Sequence, residues 1–545
     1  MAFVALTDES GARKGALGEV PTPNVLLTTV GGTVPYLTPT VLRRACGEHW
    51  PLALAIDVEP HLAPRRHRTP KAKAARKAAA LAHGGVVPRA EKVDEGDVDA
   101  APAAGGLAGG IAEYMALDRR HHLVLAPWDA LRAPDFVHNN ATAFSLNTRR
   151  GRRSIEPAQL ASIANQLGLD ACISPADEVP VAASGKRRIK AIERTSAWLD
   201  ATVDTLHAKG GRGTKRARGG DGGSSDGARA APRPPAILAS LLLVSSQDER
   251  SAAKRAGGAA GADAGAKARA AGACEEAVAA AVAAARGATS DAAAAACPLR
   301  RATIARAVAK REACGYIVRA PLGGASDYSY DVASPNFYSA PSGGDASRAL
   351  SAEGAAARAL EQLPAAALRV WRGHGPRSGA PWNALRAVAA GFDLICDGNF
   401  AATLAAKGWA STYVWEKAAS SEGRRGGSNT SGSSGVARSG GDGGVARGTV
   451  AIDLRSAEYR TDFSPLTPDS HVTHSKAYIH HLLAQNELLA HIVLCEHNLR
   501  RYLDFYGALR AALGAGGDAF EQLRARCARD WAPPPAACSA ARAAE

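Results

Sequence analysis

The sequence predicts an α/β fold: a (β/α)8 TIM barrel with long disordered insertions and a C-terminal helical subdomain. Three observations predict it. Short apolar or β-branched runs alternate with segments of helical period. About eight such pairs follow one another, which suits a closed parallel barrel better than an open sheet. The stretches between the pairs are so rich in Ala, Gly, Ser, Lys and Arg that they cannot bury enough apolar surface to offset chain entropy.

The strand candidates are Leu52–Ile56, His122–Leu125, Thr142–Leu146, Ala171–Ile173, Ile237–Val244, Gly315–Val318, Leu368–Trp371, Phe392–Ile395 and Val450–Leu454. Helical spacing of apolar residues appears at Pro157–Leu167, Arg187–Leu199, Ala302–Cys314 and Trp382–Ala390. Ala477–Arg510 reads as one or two long helices covering the barrel, because neither Gly nor Pro interrupts it before Gly507. Low-complexity insertions are expected at about 63–110, 207–235, 251–296 and 418–448. They fall in connecting loops, where added length costs little free energy. The expected division is a disordered terminus over 1–20, the barrel domain over 21–515 and a helical subdomain over 462–513. A flexible tail is expected over 514–545.

The chain carries 66 Lys and Arg against 52 Asp and Glu, a net charge of +14, with a pI near 9.5. A basic surface favours polyanions such as nucleic acid. An Arg-rich, Ala-rich composition also follows from GC-rich coding, and the two readings weigh equally. Nine scattered cysteines, an odd number with no C-x-x-C pair, argue against a disulfide framework and for a reducing compartment. No apolar run reaches the roughly 18 residues that span a bilayer. The first 20 residues lack the apolar core of a secretory signal, and Asp8, Glu9 and Glu19 argue against a mitochondrial presequence. A cytoplasmic location is expected.

Three phrases in order carry a resemblance. The first is Thr22-Pro23-Asn24-Val25-Leu26-Leu27-Thr28-Thr29, followed by Gly32-Thr33-Val34-Pro35-Tyr36-Leu37-Thr38. The second is Gly391-Phe392-Asp393-Leu394-Ile395-Cys396-Asp397. The third is Asp462-Phe463-Ser464-Pro465-Leu466, then Lys476-Ala477-Tyr478-Ile479-His480-His481-Leu482-Leu483, Asn486-Glu487-Leu488-Leu489 and His497-Asn498-Leu499. Together they resemble the tRNA-guanine transglycosylase family, and within it the eukaryotic accessory, non-catalytic branch. Fainter matches lie at Ser174–Glu178, Arg194–Leu199 and Gly373–Pro376.

The resemblance implies a reaction. A carboxylate attacks the anomeric carbon, a covalent glycosyl intermediate forms, and a second carboxylate moves the protons as guanine leaves and queuine enters. The target base is turned out of its stack into a pocket. Counted from Asp393, the family's nucleophile position is Cys396, and a one-residue slip places Asp397 there. The P-T-R that follows in catalytic relatives is replaced by Phe400-Ala401-Ala402-Thr403. Asp397 then has two readings, nucleophile or turn former beside Gly398 and Asn399, and the turn former is favoured. Asp57 stands near the proton-handling position but without the N-T-Y context. Arg319 and Pro321 interrupt the stretch matching the G-G-L-x-x-G pocket phrase. The expectation is therefore an accessory subunit with no catalytic residues, and Asp397 and Asp57 are candidates only for an active enzyme.

The resemblance also implies one Zn2+ per subunit, bound by C-x-C-x2-C and a later His. His497 matches that His. The Cys knuckle is missing, and His471 stands where its third Cys belongs, with His474 and Asp469 nearby. His471 and His497 are the metal candidates, and loss of zinc is the favoured reading. The implied partners are a catalytic subunit in a heterodimer and tRNA, with a peripheral place at the mitochondrial outer membrane. Nucleic-acid contacts are not assigned. The rival readings are an active transglycosylase and a generic basic RNA-binding barrel.

Overall fold

The computed structural model describes residues 3–7, 12–62, 110–128, 138–148, 151–179, 183–210, 235–242, 313–319, 360, 363–373, 379–413 and 451–530. Nearly all of the four low-complexity segments lies outside the described residues, as does helix candidate Ala302–Cys314 before residue 313.

Eight strands close a barrel in chain order, every neighbour parallel. They are β4 (Asn24–Thr28), β5 (Ala53–Asp57), β6 (His122–Ala126), β9 (Ala171–Ile173), β10 (Ala236–Leu242), β11 (Ala313–Arg319), β12 (Leu368–Arg372) and β13 (Leu394–Cys396). The ring shuts where β13 pairs with β4, Leu394 opposite Asn24 and Cys396 opposite Leu26. Alternation divides the side chains. Leu26, Ala55, Ile173, Leu238, Ile317 and Val370 fill the interior, while Val25, Leu54, Cys172, Ile237 and Ile395 face the helices. Each large apolar side chain so buried is worth about 1.5–3 kcal/mol before entropy is charged.

Two strand candidates lie outside the barrel. The Thr142–Leu146 run forms β7 (Phe144–Thr148), an antiparallel hairpin with β8 (Gly151–Ile155). The Val450–Leu454 run forms β15 (Ala451–Asp453), paired with β14 (Trp409–Ser411). The expected disordered terminus is also corrected. Residues 3–7 and 13–17 are strands β1 (Phe3–Thr7) and β2 (Arg13–Leu17), joined to β3 (Val20–Thr22) in an antiparallel sheet. Leu17 and Val20 enter the interior cluster and close the end of the barrel where its strands begin. Arg13 is sealed there, donating to the Ala365 and Ala367 carbonyls, with Asp393 3.4 Å away.

The helices start and stop where their caps dictate. Helix α1 (Pro39–Cys46) opens on Thr38, whose hydroxyl accepts from the Val41 N–H. Helix α2 (Gly110–Tyr114) is one short turn. Helix α3 (Pro157–Leu167) has Pro at its first position, a Glu156/Gln159 capping box and a left-handed Gly168 at its end. Helix α4 is Gly185–Gly210, α5 is Pro381–Ala389 and α6 is Phe400–Lys407. The C-terminal layer is α7 (Lys476–Ala484), α8 (Leu488–Ala515) and α9 (Gly517–Asp530), so a helix stands where the flexible tail was expected. Helix α8 is buried over most of its length and lies against α6, α1 and β14. Tyr502 donates to the Gly379 carbonyl and Arg510 to that of Pro23, which pins α8 to the barrel.

Candidate functional site

In a barrel of this kind, chemistry sits where the strands end. On β13 the interior positions are Leu394 and Cys396. Cys396 is thus the last residue of that strand to face the lumen. Burial pushes its thiol up to about 12, so it stays neutral. Asp397 comes one residue later, out of phase. Its Oδ1 accepts from the Thr28 N–H at 2.9 Å, and burial raises the pKa values of Cys495, Tyr502 and Tyr506 of α8, with the charge of Asp397 adding to it. Burial raises the Asp397 carboxyl to about 6, although the Thr28 and Asn399 groups that donate to it pull the other way. Its carbonyl accepts from Phe400 at the start of α6, and a methyl group on Gly379 would lie 1.8 Å from that oxygen.

Asp57 ends β5 in phase with the interior residues Ala53 and Ala55. Its two oxygens accept from the backbone of Gly32 at 3.0 Å and Gly31 at 3.1 Å, and the Thr29 hydroxyl is 3.4 Å away. Both glycines have positive φ, 67° and 85°. The carboxylate therefore holds the turn that follows β4. Thr28 and Thr29 are consecutive, so one strand end takes an acid on each side.

The rest of the mouth is filled by groups that single-strand reading left apart. Ser240, Arg319 and Arg372 each continue the interior phase of β10, β11 and β12. Glu178, in the loop after β9, receives NH1 of both arginines on Oε1. Arg319 also donates to the Ser240 hydroxyl at 3.2 and 3.0 Å, and Ser240 donates to the Ser174 carbonyl at 2.5 Å. The guanidinium carbons of Arg319 and Arg372 lie 4.9 and 4.0 Å from the Trp128 ring. All six side chains are buried. A usable signal was present: period two aims Arg319 and Arg372 inward, but only strand order shows that they are neighbours.

Asp177, fully buried, faces another way. It accepts from Asn139 at 2.6 Å, from Arg187 at 2.7 Å on each oxygen and from Arg194 at 3.0 Å. Asn139 in turn accepts from the Ser145 backbone at 2.7 Å. The carboxylate thereby ties the β7–β8 hairpin to the first turns of α4. Between Lys186 and Arg194 that helix carries five cations against Glu193, with Lys186 and Lys190 exposed.

The second candidate region is the loop between Leu466 and Ala477. His497 of α8 is buried, and burial lowers its pKa to about 4. Its Nε2 lies 2.9 Å from the Ser411 carbonyl, which can only accept, so Nε2 carries the proton. Its Nδ1 faces the Ser470 hydroxyl at 3.3 Å, whose one proton is shared with the Val472 carbonyl at 3.2 Å. The His471 ring lies parallel to that of His497, centroids 6.4 Å apart, with Nε2 3.6 Å from Glu496. Asp469 pairs with Arg501 at 2.5 Å. His474 stacks on Tyr478, and His480 bonds the Leu454 carbonyl. A closed zinc centre needs four converging donors with free lone pairs. The one lone pair of His497, on Nδ1, faces the Ser470 hydroxyl, Asp469 is spent on Arg501, and the loop supplies no thiolate. The residues present do not fit the metal. Among the described residues, the one group of three acid and histidine side chains that converges closely enough to share a cation is Glu48, His49 and Asp504, which includes neither His471 nor His497.

Residues 348–533 match the family model described as Queuine tRNA-ribosyltransferase. The curated proteins that resemble the chain include the queuine tRNA-ribosyltransferase accessory subunit 2 of Xenopus tropicalis, 46% identical over 69 residues, 12% of this chain and 17% of that protein. That of Danio rerio is 46% identical over 66 residues, 11% and 16% of the two chains. That of Homo sapiens is 40% identical over 77 residues, 13% and 18%. The match thus spans less than a fifth of these relatives. The barrel expected from the sequence stands, and the matches over residues 348–533 fall to the family that the sequence resembles.

Proposed function

We infer that this chain, whose residues 348–533 are of the queuine tRNA-ribosyltransferase family, serves as the accessory rather than the catalytic member of a two-subunit tRNA-guanine transglycosylase. The observation that carries the reading is the barrel mouth. A nucleophile there needs a carboxylate aimed at the lumen, and the position is the neutral thiol of Cys396. The space beyond β10, β11 and β12 is taken by Arg319, Glu178 and Arg372 bound to one another. Asp397 and Asp57 hold the backbone of Thr28, Gly31 and Gly32. Their separate tasks are those of turn and strand anchors.

The role that remains is to dock. Phe463, Tyr478, Leu488 and Leu489 are large apolar side chains left exposed in the segment that matches the family model. Such a patch fits the subunit pairing that the name of those relatives implies. The cations of α4, oriented through Asp177, fit the phosphates of a tRNA. No described helix is long and apolar enough to cross a membrane. The same reading assigns the pair to the cytoplasm, with any contact at the mitochondrial outer surface peripheral.

Purified chain incubated with labelled guanine and cognate tRNA tests the reading. The expected result is no exchange by the chain alone and exchange when the catalytic subunit is added. Exchange by the chain alone, abolished by Asp397→Ala, would overturn it in favour of an active enzyme. Failure to co-purify with a catalytic subunit would favour a generic RNA-binding barrel.

A further inference from the structure

We propose that Arg501 is the cation of the C-terminal loop, a guanidinium doing the stapling that the family resemblance assigns to zinc, and that the chain holds this loop without a metal. The inference does not depend on the accessory role. A structural zinc ties a loop to a helix by drawing several donors onto one positive charge. In this chain the donors converge on Arg501 of α8. Its NH1 lies 2.5 Å from Asp469 Oδ2 in the loop, and its NH2 lies 3.1 Å from Asp504 Oδ2 one helical turn on. Asp504 continues the chain of contacts to His49, 2.8 Å away, just before β5. The Arg501 side chain is 5% exposed, so its charge is screened little by water.

Neighbouring residues of α8 complete the staple from the other side. Ser470 of the loop sets its hydroxyl 3.3 Å from His497 Nδ1, and the Nε2 of that ring donates to Ser411 of β14. Asn498 accepts from the Ser411 N–H at 2.7 Å and donates to the Trp409 carbonyl at 2.9 Å. Glu496 takes two 2.5 Å bonds from Arg44. Four polar residues within two turns of one helix are each occupied by protein. A divalent ion beside His497 would have to displace Ser470 or Ser411 and sit in the field of Arg501. His471 alone is one donor of the four a zinc centre needs.

The test uses full-length protein purified without a metal-affinity column. Elemental analysis is expected to find zinc below about 0.1 per chain, and a strong chelator is expected to leave the melting temperature unchanged. Arg501→Met is expected to lower that temperature by roughly 5 °C or more, because it removes the buried cation that joins Asp469 of the loop to Asp504 of the helix. Asp469→Asn, whose side chain is partly exposed and which is less prone to prevent folding, is expected to give a smaller drop in the same direction. One zinc per chain, removed by chelator with a fall in melting temperature, would overturn the proposal. So would an Asp469→Asn variant that melts with the parent.

Discussion

The barrel mouth and the C-terminal helical layer hold comparable sets of buried polar groups, and they spend them differently. In the mouth, Arg319, Arg372, Glu178 and Ser240 come from separate strands and loops and bond mainly one another. Their joint effect is to close a cavity. In the helical layer, Glu496, His497, Asn498 and Arg501 come from two turns of α8 and reach outward to β14, α1 and the loop after Leu466. Their joint effect is to clamp neighbours while the far side stays open, with Leu488 and Leu489 exposed. Side chains of the same kinds thus make a plug where strands converge and a clasp where one helix crosses other elements. A plugged mouth suits a barrel relieved of chemistry, and a clasped layer suits one kept for docking.

The hardest blow to this contrast is struck at Glu178. Glu178→Ala leaves two buried guanidinium groups facing each other, and a broken buried pair costs about 3–5 kcal/mol. Replacing all three partners by apolar residues of similar size, Glu178→Leu with Arg319→Met and Arg372→Met, should recover most of that loss. Urea unfolding of both variants checks it. An alanine variant within about 1 kcal/mol of the parent would mean that the mouth network is not closed by this carboxylate.

The next test sets Asp397 beside the mouth against His497 in the helical layer. Burial lifts the folded Asp397 above its ordinary value of 3.8 to about 6. Its share of stability is complete below pH 3.8 and is lost as pH rises through 6. Burial depresses the folded His497 from 6.5 to about 4, so its share is present above 6.5 and is lost as pH falls through 4. The two residues pull stability in opposite directions across one window. Relative to the parent, Asp397→Asn should gain as pH rises from 4 to 7, and His497→Gln should gain as pH falls from 6.5 to 4. Each change is on the order of 3 kcal/mol over its window. Unfolding free energies measured at half-unit pH steps decide it, and parallel curves for parent and variant would remove that residue from the account.

Much of this architecture was legible before any coordinates, for reasons that differ by element. Helix α3 runs Pro157–Leu167, as its spacing and capping residues indicate. Seven of the eight barrel strands were visible as short apolar runs, since both of their faces are buried, and β4 was marked only by the phrase Thr22–Thr29. The same signal misplaced Thr142–Leu146 and Val450–Leu454, because an apolar run does not say which sheet it joins. Strands β1 and β2 were missed because the contacts that seal the charged Arg13 between carbonyls and Asp393 exist only in the fold. The plug itself was beyond linear reading: Glu178 lies 141 residues from Arg319 and 194 from Arg372. Period two fixes the inward phase of Cys396 once the strand end is known. For His497 the motif gave the position and not the partners, since Ser411 comes from a strand 86 residues away.

The smallest effect on stability should come from the open side of the clasp. Leu488 is 60% exposed and Leu489 41%, at the first turn of α8, and the next residue, Ala490, is buried. Replacing an exposed leucine removes little buried area, and a carboxylate in the first turn of a helix interacts well with the backbone dipole. Leu488→Glu should therefore change the unfolding free energy by less than about 0.5 kcal/mol. If this face docks the catalytic subunit, the same change places an unpaired charge in the centre of an apolar contact, which costs about 2 kcal/mol or more, some thirtyfold in affinity. Sedimentation of the mixed subunits measures the pairing and a melt measures the fold. Loss of pairing with an unchanged melt would confine docking to this patch. A variant that pairs as the parent does would move the contact elsewhere on the molecule and leave the exposed leucines without a partner.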